Sequence, residues 1–215
     1  MSAIPRSPAC GLILSFALTL MACTPTWAEP IPVLWIGPQA GFTGDSRFSE
    51  EQAKPITLIR VGPRVGVSGK SPFGRQQKED FQQYDIAALF GLPWEWQERP
   101  SSLKFDMRLL ASAGELAAAQ DTSLMVTLVP SLTVSSPNGT FSIDIGAGTA
   151  FFSNYKFGVQ NFGGPAQIVG TVGIGLNLSP GFYAGYRFQH FSDAGIYGSS
   201  YLGVDMHILE LSYLF

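Results

Sequence analysis

The sequence predicts an all-β protein, an eight-stranded antiparallel transmembrane β-barrel with a filled interior. Three observations lead there. Only 13% of the 215 residues are charged, aromatic residues make up another 13%, and there are 24 glycines. With a mean hydropathy of +0.17, this is too apolar and glycine-rich for an ordinary soluble enzyme. Beyond the N-terminal region, no apolar run approaches the roughly 18 to 20 residues that a transmembrane helix needs. Finally, eight successive segments alternate apolar with polar or small residues at a period of two. Backbone polar groups in lipid must be satisfied internally, so a spanning protein without helices closes into a barrel.

The elements follow in order. Residues 1–28 read as a secretory signal, with Arg6, an apolar run over 11–22, and Thr26 and Ala28 placed for cleavage before Glu29. A second reading stays open: Leu20-Met21-Ala22-Cys23 resembles a lipobox that leaves Cys23 acylated. Both readings export the chain. Cys10 and Cys23 are the only cysteines, so the mature protein holds at most one and no internal disulfide. Residues 29–54 show no clear period and are expected to form an N-terminal periplasmic segment, with the barrel over 55–215.

Within the barrel region, Ile59, Val61, Val65 and Val67 alternate with Arg60, Gly62, Arg64 and Gly66. Tyr84, Ile86, Ala88, Phe90, Leu92, Trp94 and Trp96 share a face opposite Asp85, Gly91 and Glu95. Leu103, Phe105, Met107 and Leu109 alternate with Lys104, Asp106, Arg108 and Leu110. Leu124, Val126, Leu128 and Leu132 oppose Ser123, Thr127 and Ser131. Phe141, Ile143, Ile145 and Phe151 oppose Ser142, Asp144 and Gly148, and Ile168, Val172, Ile174 and Leu176 oppose Gln167, Thr171, Gly173 and Asn177. Two C-terminal strands complete the set. Phe182, Ala184, Tyr186, Phe188, His190 and Ser192 share one face of the first, and Asp205, His207, Leu209, Leu211, Tyr213 and Phe215 one face of the second. Alternation is weak evidence in any one strand and strong when repeated eight times.

Connections near 97–100, 136–139 and 179–181 are tight and rich in Pro and Gly, whereas those over 68–80, 114–121, 153–165 and 193–203 read as longer. Short periplasmic turns and long external loops are the outer-membrane pattern, and both barrel ends then lie in the periplasm. Trp94 and Trp96 end a descending strand, where an interfacial aromatic girdle belongs. Eight strands leave an interior filled by side chains, which argues against a porin.

Strand direction gives depth. His190 and Ser192 fall at the outer end of an ascending strand, and Asp205 begins the next strand near the same rim. All three stand on the apolar, lipid-facing sides, where polar groups are costly and mark function by default. The chemistry suits a hydrolase. Serine becomes a nucleophile when a hydrogen-bonded imidazole takes its proton, and a carboxylate holds that imidazole in the right tautomer. The residues alone leave a purely structural rim open, and no G-x-S-x-G elbow is present.

The segment His190-Phe191-Ser192-Asp193-Ala194-Gly195, with Gly203-Val204-Asp205 and a final strand closing on Phe215, resembles the PagL family of outer-membrane lipid A 3-O-deacylases. The resemblance implies an eight-stranded barrel in the bacterial outer membrane, with a lipid-facing triad that removes the 3-O-linked hydroxyacyl chain of lipid A. It makes Ser192 the nucleophile, His190 the general base and Asp205 the orienting acid. Two departures stand out: the family's usual acid is Glu, and Asn is expected where this chain has Asp193. A carboxylate there opposes a developing oxyanion, leaving backbone N–H groups near residues 193–195 to supply the hole.

The expected partner is therefore lipid A or lipopolysaccharide within the membrane. A formal net charge of −3 argues against nucleic acid. No cofactor is implied, and Asp193, Asp205 and His207 match no metal-ligand spacing. His207 reads as an interfacial residue rather than a second base. The alternative function is a non-catalytic structural or adhesive outer-membrane barrel acting through its outer loops.

Overall fold

Alternating side chains place one apolar and one polar face on every strand, and in the computed structural model those strands close on themselves. The structure describes residues 55–69, 77–198 and 203–215. The expectations for residues 1–28 and 29–54, Cys23 included, lie outside the described residues.

The chain order is β1 (Thr57–Ser68), β2 (Gln82–Trp96), β3 (Lys104–Ala118), β4 (Asp121–Ser135) and β5 (Phe141–Phe152). A two-stranded ribbon, β6 (Lys156–Phe157) and β7 (Gln160–Asn161), precedes β8 (Ala166–Ser179), β9 (Phe182–Ser192) and β10 (Val204–Leu214). Eight strands pair antiparallel in the closed order β1-β10-β9-β8-β5-β4-β3-β2, leaving the ribbon as a separate small sheet. Closure comes from β1 against β10, where Arg60 faces Leu214 and Ser68 faces Met206.

The burial is inverted relative to a soluble protein. Outward positions carry exposed Val65, Val67, Ile86, Leu124, Val126, Ile145, Leu209 and Leu211, while the interior holds buried Arg60, Arg64, Asp85, Asp144, Arg187 and Glu210. An apolar exterior suits lipid, and a polar interior is tolerated because its charged side chains are paired. Arg64 donates two hydrogen bonds to Asp85 at 2.6 and 3.0 Å. Arg187 does the same to Asp144 at 2.6 and 2.9 Å, and Arg60 reaches Glu210 at 2.7 Å. Arg60 also lies 3.7 Å over the ring of Tyr183. These paired side chains fill the middle of the barrel, as expected for eight strands.

At the rim of short turns, exposed Trp94, Trp96, Phe141, Phe182, Tyr213 and Phe215 form an interfacial belt. At the opposite rim the interior turns apolar. Phe81, Phe152, Phe157, Phe162 and Phe191 are all at most 3% exposed, with ring centroids 5.2 to 5.9 Å apart in successive pairs. The connection over 153–165, expected as one of the longer external loops, carries the ribbon, and its Phe157 and Phe162 join this plug.

One connection differs from expectation. Residues 114–121 are not a long outer loop: β3 runs through Ala118, and only Ala119 and Gln120 link it to β4. Both have positive φ, 50° and 68°, the geometry of the two-residue turn that matches strand twist. Such turns favour Asn and Gly, so Ala-Gln carried no turn signal.

Candidate active site

The side chains of His190, Ser192 and Asp205 are placed by two features of the sheet: the period of two along β9, and its register with β10. His190 and Ser192 stand on the outward face of β9 while Phe191, between them, is buried in the aromatic plug 5.3 Å from Phe152. Asp205 is the direct register partner of His190 across β9 and β10. That opposition lets a short Asp side chain reach the imidazole. His190 Nδ1 lies 2.5 Å from Asp205 Oδ1, so an Nδ1–H donates to the carboxylate and Nε2 is the basic nitrogen of the ring.

Asp205 belongs to the outward face by parity but is only 2% exposed, whereas the His190 side chain is 29% exposed. The carboxylate therefore sits behind the imidazole instead of in contact with lipid. The Gly69 amide donates to the Asp205 carbonyl at 3.2 Å, tying the acid's backbone to the first outer connection. Gly203 packs against the ring: a Cβ there would come within 2.8 Å of His190 Cε1 and 2.4 Å of the Phe191 carbonyl. Neither glycine contact is readable from residue spacing.

After Ser192 the chain turns sharply, with Ala194 and Gly195 at φ 48° and 82°. The Ala194 amide donates to Ser192 Oγ at 3.1 Å. The Gly195 amide donates to Asp193 Oδ1 at 3.2 Å, and the Ile196 amide to the Asp193 carbonyl at 2.9 Å. Of the backbone donors expected near residues 193–195, Ala194 is thus the one directed at the serine oxygen, while Asp193 occupies Gly195. Asp193 is 6% exposed, and its Oδ2 is buried without a hydrogen-bond partner among the described residues.

His207, one outward position further along β10, is occupied elsewhere. Its Nδ1 lies 2.6 Å from the Tyr186 hydroxyl, and its ring packs edge-on to Phe188 with centroids 5.7 Å apart. The pairing satisfies two polar groups on an otherwise apolar face, in keeping with an interfacial role.

This arrangement on an eight-stranded barrel can be set against known proteins. The family model described as lipid A 3-O-deacylase (PagL) matches residues 82–214. The chain belongs to the PagL family. Lipid A deacylase PagL of Bordetella bronchiseptica (strain ATCC BAA-588 / NCTC 13252 / RB50) is 35% identical over 75 residues, which is 35% of this chain and 42% of the relative. The aligned part therefore spans less than half the length of that curated relative. The crystal structure of the outer membrane enzyme PagL superposes with a TM-score of 0.57 at 20% identity, covering 73% of this chain and 99% of that one. At that identity the likeness establishes the PagL barrel fold.

Proposed function

We propose that this protein is an outer-membrane serine esterase that removes the 3-O-linked hydroxyacyl chain of lipid A. The observation that carries the reading is the His190–Asp205 hydrogen bond, made two residues along the same face of β9 from Ser192 at the outer end of the barrel. Membership in a deacylase family supplies the reaction class.

In this reading Ser192 Oγ attacks the ester carbonyl carbon as His190 Nε2 accepts the hydroxyl proton. Asp205 holds the ring's tautomer and stabilises the imidazolium. The carbonyl oxygen takes up the negative charge, and the backbone amides of the turn after Ser192, Ala194 among them, are the donors nearest to it in this reading. Collapse breaks the bond to the sugar oxygen, and His190 returns the proton to that leaving group. Water, deprotonated by His190, then cleaves the acyl-serine ester and regenerates the enzyme. The lipid-facing position presents the site directly to acyl chains in the outer leaflet.

The test is mass spectrometry of lipid A from cells producing the wild type or Ser192→Ala, with insertion of both barrels verified. Loss of one hydroxyacyl mass with the wild type alone supports the reaction and its nucleophile. Loss with both proteins rejects Ser192, and loss with neither rejects the deacylase.

A further inference from the structure

The turn that follows Ser192 leaves the sheet. Ser192 still pairs with Ile168 on β8, while the β9–β10 ladder ends at Phe191 and Val204. Beyond it the backbone is left-handed at Ala194, Gly195 and Gly198, with φ of 48°, 82° and 122°. That conformation crowds the Cβ of any residue but glycine, so Ala194 is strained, and such strain persists only where the surroundings over-determine it. The turn's backbone bonds are local. The Ile196 amide donates to the Asp193 carbonyl at 2.9 Å and the Gly198 amide to the Gly195 carbonyl at 3.2 Å. They close the turn on itself without fixing it to the barrel.

Tyr197 supplies the attachment. It is the one residue of 194–198 that is not exposed. Its ring lies on Gly164, in the connection between β7 and β8: a Cβ on Gly164 would come within 2.3 Å of Tyr197 Cζ and 2.5 Å of Cε1. Gly163 beside it has a φ of 85°, but Gly164 has no positive φ. The close approach of the ring, not the backbone conformation, therefore calls for glycine at 164. The Ala166 amide also donates to the Tyr197 hydroxyl at 3.3 Å.

The surface beneath the ring is itself fixed. Gln167 is buried, and its Nε2 donates to the carbonyls of Gly164 at 2.8 Å and Phe162 at 3.1 Å. The Phe152 amide donates to the Pro165 carbonyl at 2.8 Å. Phe152 and Phe162 both belong to the aromatic plug, so the contact ties the turn to the packed interior. The Ala194 amide reaches Ser192 Oγ at 3.1 Å, an aim that depends on the left-handed backbone at Ala194. Released from Gly164, the turn can relax that strain and rotate the amide away. We propose that Tyr197 is a positioning residue for the reaction, its ring on Gly164 holding the turn after Ser192 in its strained form. The inference rests on the deacylase reading above and adds what keeps its nucleophile and backbone donors in place.

The test compares Tyr197→Phe, Tyr197→Leu, Gly164→Ala and the double variant Tyr197→Leu/Gly164→Ala in full-length protein. Folding is verified by heat-modifiable gel mobility, and active sites are counted by fluorophosphonate labelling. Hydrolysis of p-nitrophenyl decanoate then gives kcat per labelled site and KM, alongside lipid A deacylation. Tyr197→Leu and Gly164→Ala should each lower kcat about tenfold or more with KM unchanged. Tyr197→Phe keeps the ring and should stay within about threefold of the wild type, since one long neutral hydrogen bond contributes little. The double variant should be no slower than Tyr197→Leu alone, because both changes break one contact. If Gly164→Ala does not fold, Tyr197→Leu against Tyr197→Phe carries the same decision. Fewer labelled sites with unchanged kcat per site overturns the proposal, because Tyr197 then serves the fold alone. A raised KM at unchanged kcat overturns it by placing Tyr197 on the substrate, and additive losses in the double variant overturn the shared contact. Each of these leaves the deacylase standing. A wild type inactive on lipid A and on the ester removes the deacylase reading and the positioning role with it.

Discussion

His190 and Asp205 are opposed residues in the β9–β10 register, and their 2.5 Å Nδ1–Oδ1 contact depends on that opposition. A carboxylate displaced along β10 by one position would point into the barrel. The pair therefore couples strand register to imidazole orientation.

The length of the acid follows from this pairing. Asp205→Glu adds a methylene to a carboxylate that is 2% exposed and already within bonding distance. The longer side chain has to tilt the imidazole, and kcat for ester hydrolysis should fall about 10- to 100-fold, the cost of a misplacement near 1 Å. Asp205→Asn removes the charge that selects the tautomer and should cost roughly 10⁴-fold. Steady-state kinetics on both variants checks the order; a more active Glu variant would contradict the geometry.

Gly203→Ala tests the packing behind the imidazole. Its Cβ would press on His190 Cε1 and the Phe191 carbonyl, so the ring must move. The expectation is a fall in kcat of about 10-fold or more with the barrel still folded. The rate of serine labelling by a fluorophosphonate, which needs no lipid A, should fall in parallel.

Asp193→Asn should raise activity. The carboxylate's Oδ2 is buried without a hydrogen-bond partner among the described residues, and its negative charge directly follows Ser192 in the chain. An amide removes that charge, keeps an oxygen for the Gly195 amide and adds a donor. Since one oxyanion donor is worth about 10²-fold or more where it is well aimed, a measurable gain in kcat is expected. An unchanged or lower kcat would show that this side chain does not act on the reacting ester.

Two substitutions probe the barrel's contents. Phe152→Ala removes a ring packed against both Phe162 and Phe191 and should destabilise the barrel by about 3–5 kcal/mol. Arg187→Ala leaves Asp144 buried without its bidentate partner at a similar cost of about 3–5 kcal/mol. Urea unfolding in lipid vesicles measures both. Phe152→Ala should also slow esterase turnover, because Phe191 lies between His190 and Ser192 in the chain; Arg187→Ala, deeper in the interior, should affect stability more than turnover.

The alternation of residues such as Arg187, Gln189 and Phe191 against Tyr186, Phe188 and His190 was legible because strand periodicity is local. It determined the strand number, the inward and outward faces, the filled interior, and the outward placement of His190, Ser192 and Asp205. The PagL motif lay in the same two strands. Other features depend on contacts between distant parts of the chain. The turn at Ala119–Gln120 forms because the flanking strands pair up to Ala118 and Asp121, against the preferences of those two residues. The pairs Arg187–Asp144 and Arg60–Glu210, the phenylalanine plug, Gly203 against His190 and Tyr197 on Gly164 arise only when the sheet closes and every register is set. Periodicity assigns a side chain to a face; closure decides which side chain stands next to it.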